Sequence, residues 1–202
     1  QLMTSEIENV IPYTLMLLNG SELATPAQRK MWGFETKFRV LPRDFSRMKN
    51  GENVIEIEEV VVATNTLPYE DYVQCRKMAL LISIFNTIGF RAIQKLFLQN
   101  HIPPMDLFMS LLENTNNLPE ADDSQKGLRL IQEFEKATRS ELWDSAEELT
   151  AFFDDDDNFQ GLVDGRHGIN LIQTFKAQAL ARCYEDLAEL FFNQANTLLL
   201  ER

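Results

Sequence analysis

The sequence predicts an α+β fold that is predominantly α-helical, with short strands or a hairpin in the first third followed by a helical bundle. Three observations carry this. Two β-prone runs, residues 34–41 (FETKFRVL) and 54–62 (VIEIEEVVV), both fall before residue 65. Apolar residues recur at three-to-four spacing through almost every segment after residue 66. The breaks between those segments are short and rich in Pro, Asn, Asp and Gly. The expected division is a β-containing region over 1–65 and a helical one over 66–202.

Residues 11–18 (IPYTLMLL) form a short apolar run that ends at Asn19-Gly20, as a buried strand ends in a turn. Thr25-Pro26 opens a short helix over about 26–31, with Thr25 placed to cap it and Pro26 suited to its first turn. The runs 34–41 and 54–62 read as an antiparallel pair joined by a long loop that contains Pro42 and Asn50-Gly51. Ile55 and Ile57 share one face, Glu56 and Glu58 the other. Glu59 breaks the alternation before Val60-Val61-Val62, which points to a bulge or to a strand buried on both sides.

Thr66-Leu67-Pro68 followed by Glu70 and Asp71 is a helix start. The apolar stripe Tyr72, Cys75, Met78, Ala79, Ile82 and Phe85 continues it, and Gly89 is the expected stop. Residues 90–99, 105–113, 124–138, 140–153 and the long run 168–200 complete the helices. Residues 103–104, 114–119 and 154–168 are the expected breaks. No repeat of fixed period occurs.

At 202 residues and 45% hydrophobic the chain can bury a sizeable core. Its net charge of −12 argues against a nucleic-acid partner, which needs a basic footprint. The longest apolar run, 78–85, is far too short to span a bilayer. The chain opens QLMTSEIENV, without a secretory signal and without Met as its first residue, which fits a piece of something longer and a cytoplasmic location. The two cysteines, Cys75 and Cys183, read as small buried hydrophobes and form no disulfide framework.

The chemistry-bearing patterns are incomplete. In residues 154–157, four consecutive aspartates, a calcium loop would place Phe159 at the sixth position and Gly165 at the twelfth. Glycine and a bidentate acid are needed there, so the run reads as a solvated loop. His101 and His167 lack any partner at zinc-binding spacing. The turn Asp164-Gly165-Arg166-His167-Gly168 lacks the Gly-Lys-Ser/Thr of a phosphate loop. Glu58 and Glu59 point to opposite faces of a strand and cannot share an acid–base site unless bulged. No catalytic residue and no metal ligand is assigned.

Three ordered stretches carry more: LMLLNGSEL (15–23), WGFETKFRVLPRDF (32–45) and IEIEEVVVATNTLPYEDYVQCRK (55–77). Together they resemble the region that ends the radical S-adenosylmethionine domain in the Fe-S oxidoreductase family that also has a cobalamin-binding domain. The resemblance covers about residues 10–85. It implies that 11–18 is a late barrel strand and that Asn19, Gly20, Ser21 and Glu22 lie at the barrel mouth, facing substrate or S-adenosylmethionine. Arg39 and Arg43 are candidate contacts for an anionic substrate, since guanidinium bonds carboxylate or phosphate in a planar fork.

The parent would use a 4Fe-4S cluster, S-adenosylmethionine and possibly cobalamin for radical chemistry such as methyl transfer or ring formation. The cluster motif Cys-x-x-x-Cys-x-x-Cys and the cobalamin motif Asp-x-His-x-x-Gly are absent here. The expectation is therefore a carboxy-terminal portion that binds no cofactor and is inactive alone. Its partners would be the rest of the parent enzyme, or a second copy through an exposed strand edge. The rival expectation is a non-enzymatic acidic helical module for protein interaction.

Overall fold

The structure, a computed structural model, describes residues 11–117 and 125–201. The fold is α+β and mostly helical, as expected. One helix, α1 (Pro26–Trp32), precedes an antiparallel hairpin of β1 (Glu35–Arg47) and β2 (Asn53–Ala63). The helices that follow are α2 (Tyr69–Phe85), α3 (Ile88–Gln99), α4 (Pro104–Asn117), α5 (Lys126–Ser140), α6 (Ala146–Phe153), α7 (Asp156–Val163), α8 (Leu171–Arg182) and α9 (Tyr184–Leu200). They group into two compact units. Among the described residues, one holds 13–73 and 137–170, the other 11–12, 74–117, 125–136 and 171–201. Residues 1–10, 118–124 and 202 fall outside the described residues.

In the hairpin unit, β1 and β2 pair from Glu35↔Ala63 to Arg47↔Asn53. Side chains alternate between two faces. Val40, Phe38, Phe45, Ile55 and Ile57 pack with Leu149 and Phe153 of α6, Phe159 and Leu162 of α7, and Trp143. Val60 and Val62, on the opposite face, pack with Tyr72, Val73, Leu67 and Leu142. A ribbon covered on both faces explains why alternation ends at Glu59 and why residues 60–63 are all buried. The register also slips at Thr36, where β2 carries an extra residue.

The segment before α1 is thinner than a full strand. Leu15 C=O accepts from Val61 N–H and Leu17 N–H donates to Glu59 C=O, each at 2.9 Å, and only Met16 bridges, opposite Val60. Gly33 ends α1 in the left-handed region (φ 61°), where the Phe34 N–H reaches back to Arg29 C=O. A Cβ there would lie 2.1 Å from Asn65 Oδ1.

Several expected boundaries move. The long loop through Pro42 is instead a bulge: four residues, Leu41 to Asp44, lie between paired Val40 and Phe45, and a tight turn at Met48–Glu52 closes the hairpin. Proline is tolerated in such a bulge because its position makes no ladder bond. Gly89 lies inside α3 and stops nothing. Residues 141–145 are not helical, and Trp143 exchanges backbone bonds with Phe38 at 2.8 and 2.9 Å. Within 154–168 stands α7, and the run 168–200 breaks at Cys183 into α8 and α9. Of the expected break at 114–119, α4 occupies up to Asn117; the remainder, like Ser124, lies outside the described residues.

The other unit is a helical core rich in phenylalanine. Phe85, Phe90 and Phe191 meet at 4.7–5.0 Å, and Phe134 meets Phe175 edge-on at 5.3 Å. Gln194 of α9 bonds Ser110 and Asn114 of α4. His101, in the left-handed region (φ 58°), ends α3, with Ile102 N–H returning to Phe97 C=O. Among the described residues, no single helix is long and apolar enough to cross a membrane.

Candidate functional site

The ionic groups of the hairpin unit sort by strand face. Arg39 stands opposite Glu58 in register, and its Nε donates to Glu58 Oε1 at 2.6 Å. Its Nη1 donates to Glu141 Oε1, just beyond α5, at 2.9 Å. The three side chains are 13%, 8% and 17% exposed, so one guanidinium serves two largely buried carboxylates. Burial works against the Arg39 charge, but the Glu141 and Glu58 carboxylates outweigh it and hold its pKa above the usual value.

Glu59 serves the other face. Arg29 of α1 grips both its oxygens at 2.6 Å, and the Thr36 hydroxyl donates to Oε1 at 2.7 Å. The Arg29 hydrogen bonds hold the Glu59 carboxyl below its usual pKa against the opposing effect of burial. Arg29 Nε also donates to Ala24 C=O, so one side chain ties the 3-10 turn Glu22–Ala24, α1 and β2 together. Glu58 and Glu59 thus have separate partners and form no shared acid–base pair.

Asn19 to Glu22 form an exposed turn, with Gly20 at φ 84° and Ser21 N–H on Leu18 C=O at 3.0 Å. Arg39 lies in the buried ion cluster. Arg43 is exposed in the Leu41–Asp44 bulge at φ 68°, its N–H on Gly168 C=O at 3.2 Å. Two of the Arg39 nitrogens are committed to protein carboxylates, whereas the Arg43 side chain faces solvent.

The four-aspartate run has a local structural use. Asp155 caps α7, accepting from the N–H groups of Asp157 and Asn158, and Asp156 pairs with Arg47 at 2.6 Å. Acids at a helix start are favoured by its macrodipole. His167 lies edge-on to Phe152 and Phe153 at 5.7 Å, and burial, then Arg166, lowers its pKa.

Sequence reasoning passed over Lys77, 1% exposed, whose Nζ bonds Asn116 Oδ1 at 2.5 Å and Glu135 Oε2 at 2.8 Å. The available signal was a lysine among Val73, Leu80 and Leu81 on one helix. Glu141 and the Arg29–Glu59 fork were also missed, their partners being far away in sequence.

The thiols do not fit an iron–sulfur cluster. Cys183 is buried, and burial followed by Asp186 raises its pKa, disfavouring the thiolate that a metal requires. Cys75 is exposed rather than buried, because α2 buries most of its girth and Cys75 falls on the remaining face. Two thiols cannot replace three cluster ligands. Among the described residues, no group of three or more His, Cys, Asp or Glu side chains is arranged to hold a metal. No protein-family model matches the chain. No curated protein matches it either.

Proposed function

We propose that this chain is the carboxy-terminal portion of a cobalamin-binding-type radical S-adenosylmethionine enzyme, an accessory part whose radical chemistry belongs to the parent. One observation carries the reading. The three stretches on which the resemblance rests fold onto one another: Leu15 and Leu17 bond β2, β2 pairs with β1, and β2 turns through Thr64–Leu67 into α2. Their joining in one hairpin and the corner that follows it is what the reading leans on. The turn Asn19–Glu22 follows the Leu15–Leu17 segment, with Asn19, Gly20 and Glu22 exposed, although that segment meets β2 antiparallel rather than parallel as in a barrel.

On this reading the partners are the rest of the parent, or a second copy at the open strand edge, in the cytoplasm. Arg43 is the better placed of the two arginines to meet an anion, since Arg39 is held by Glu58 and Glu141. The alternative, an acidic module that recruits a basic protein, has thinner support: Asp155 and Asp156 are engaged in capping and ion pairing. Expression of the native reading frame with whatever precedes Gln1 tests the proposal. A Cys-x-x-x-Cys-x-x-Cys sequence and cluster-dependent formation of 5′-deoxyadenosine are expected. A frame without that motif refutes it.

A further inference from the structure

The open edge beside β2 has a specific hydrogen-bonding pattern. In an antiparallel pairing, successive residues direct their N–H and C=O groups to alternate sides. Leu15 C=O and Leu17 N–H are taken by β2. The N–H and C=O of Met16 therefore face the opposite side, where the structure gives them no partner among the described residues. Leu18 N–H and Thr14 C=O face the same way. The edge bears no charge, no proline and no glycine between Tyr13 and Leu18, so it lacks the devices that usually block strand addition.

The apolar surface around it is extensive. Tyr13 is 82% exposed, Leu15 42%, Met16 37% and Leu18 66%, and Met31 and Trp32 of α1 are 63% and 48%. The four strand residues amount to roughly 450 Å² of exposed side chain, Tyr13 and Leu15 on one face and Met16 and Leu18 on the other, at about 200 Å² for a fully exposed large residue. That is below the roughly 600–800 Å² per partner of a standard interface and suits a weak, concentration-dependent association. Charge points the same way. Residues 11–34 hold one acid, Glu22, and two bases, Arg29 and Lys30, in a chain of net charge −12. This region can therefore meet its own copy without the repulsion expected elsewhere.

We propose that this edge is a self-pairing surface: two copies of the chain join antiparallel about a two-fold axis through Met16. Each Met16 N–H donates to the Met16 C=O of the second copy, and each Leu18 N–H to the second copy's Thr14 C=O. The sheet then runs continuously through both copies, with the two Met16 residues side by side at its centre. An isologous contact of this kind closes at two copies. The inference concerns the chain as folded here and does not depend on the enzyme reading; a strand of a larger parent would compete for the same edge.

Sedimentation velocity on the purified chain, from about 1 to 100 μM, tests it. A monomer–dimer equilibrium is expected within that range. Leu18→Lys, at a solvent-exposed position, should weaken dimerisation at least tenfold, and Met16→Pro, which removes the central donor, should abolish it. Leu180→Lys, 41% exposed on α8, should leave it unchanged. Circular dichroism identifies variants that have lost their fold. A monomer at every concentration overturns the proposal. So does a dimer indifferent to Leu18→Lys, or growth beyond two copies.

Discussion

Removing the Arg39 guanidinium should unbalance the hairpin unit sharply. In Arg39→Met, Glu58 and Glu141 keep their charges at 8% and 17% exposure and lose their shared cation. At a charge separation near 4 Å, each pair is worth about 4 kcal/mol at an effective dielectric of about 20, before desolvation is counted. Breaking a buried pair by removing one partner costs about 3–5 kcal/mol. With a urea slope of about 2 kcal/mol/M, the unfolding midpoint should fall by about 1.5–2.5 M. Tryptophan fluorescence is the assay, because the chain's two tryptophans, Trp32 and Trp143, both lie in the hairpin unit. The triple variant Arg39→Met, Glu58→Leu, Glu141→Leu should recover most of the loss, since apolar replacement of a buried ionic cluster is often neutral or better. A loss under about 1 kcal/mol for Arg39→Met would mean that the cluster behaves like an exposed pair and would refute the reasoning.

Gly33→Ala should cost about 1–2 kcal/mol from the left-handed backbone alone, and more from the clash with Asn65, as read in the same fluorescence melts. An unchanged midpoint would show that the α1 terminus relaxes freely. Asp155→Ala should cost about 1 kcal/mol through the lost cap, while millimolar Ca²⁺ leaves the melting temperature of the parent chain unmoved. A calcium-dependent rise would restore the metal reading. For pH, the folded Glu59 carboxyl titrates below its ordinary 4.5, so its contribution is present above pH 4.5 and is lost as pH falls through the folded value. His167 titrates below 6.5 in the fold, so stability declines as pH drops from 6.5 towards that lower value. Glu59→Gln should flatten the first slope and His167→Asn the second; unchanged slopes count against both assignments.

What could be read in advance followed local rules. Alternation located the two strands, and the Thr-Pro and Pro-Glu-Asp patterns located the starts of α1 and α2. Glu59 marked the point where β2 becomes buried on both faces. The misses come from tertiary context. Cys75 was placed on an apolar stripe, yet α2 buries Val73, Leu80, Leu81 and Ile84 as well, so a single stripe describes it poorly. Four aspartates look like a loop by composition, yet acids at the first turn of a helix are also a start signal. Pro42 suggested a loop because a bulge within a strand leaves little trace in one sequence. The break between α8 and α9 at Cys183 has no glycine or proline to announce it. For the ion cluster, Arg39 and Glu58 follow once strand register is known. Glu141 is 102 positions from Arg39, and only the packed fold brings them together.

We propose that the chain is part of a radical enzyme and performs no such chemistry alone. The most direct measurement is 5′-deoxyadenosine formation from S-adenosylmethionine under anaerobic, reducing conditions after iron and sulfide reconstitution. It should be made on the 202-residue chain and on the product of its full native reading frame. The account expects 5′-deoxyadenosine from the longer product and none from this chain. Turnover by this chain alone, or a longer product that neither holds a cluster nor cleaves S-adenosylmethionine, would contradict it.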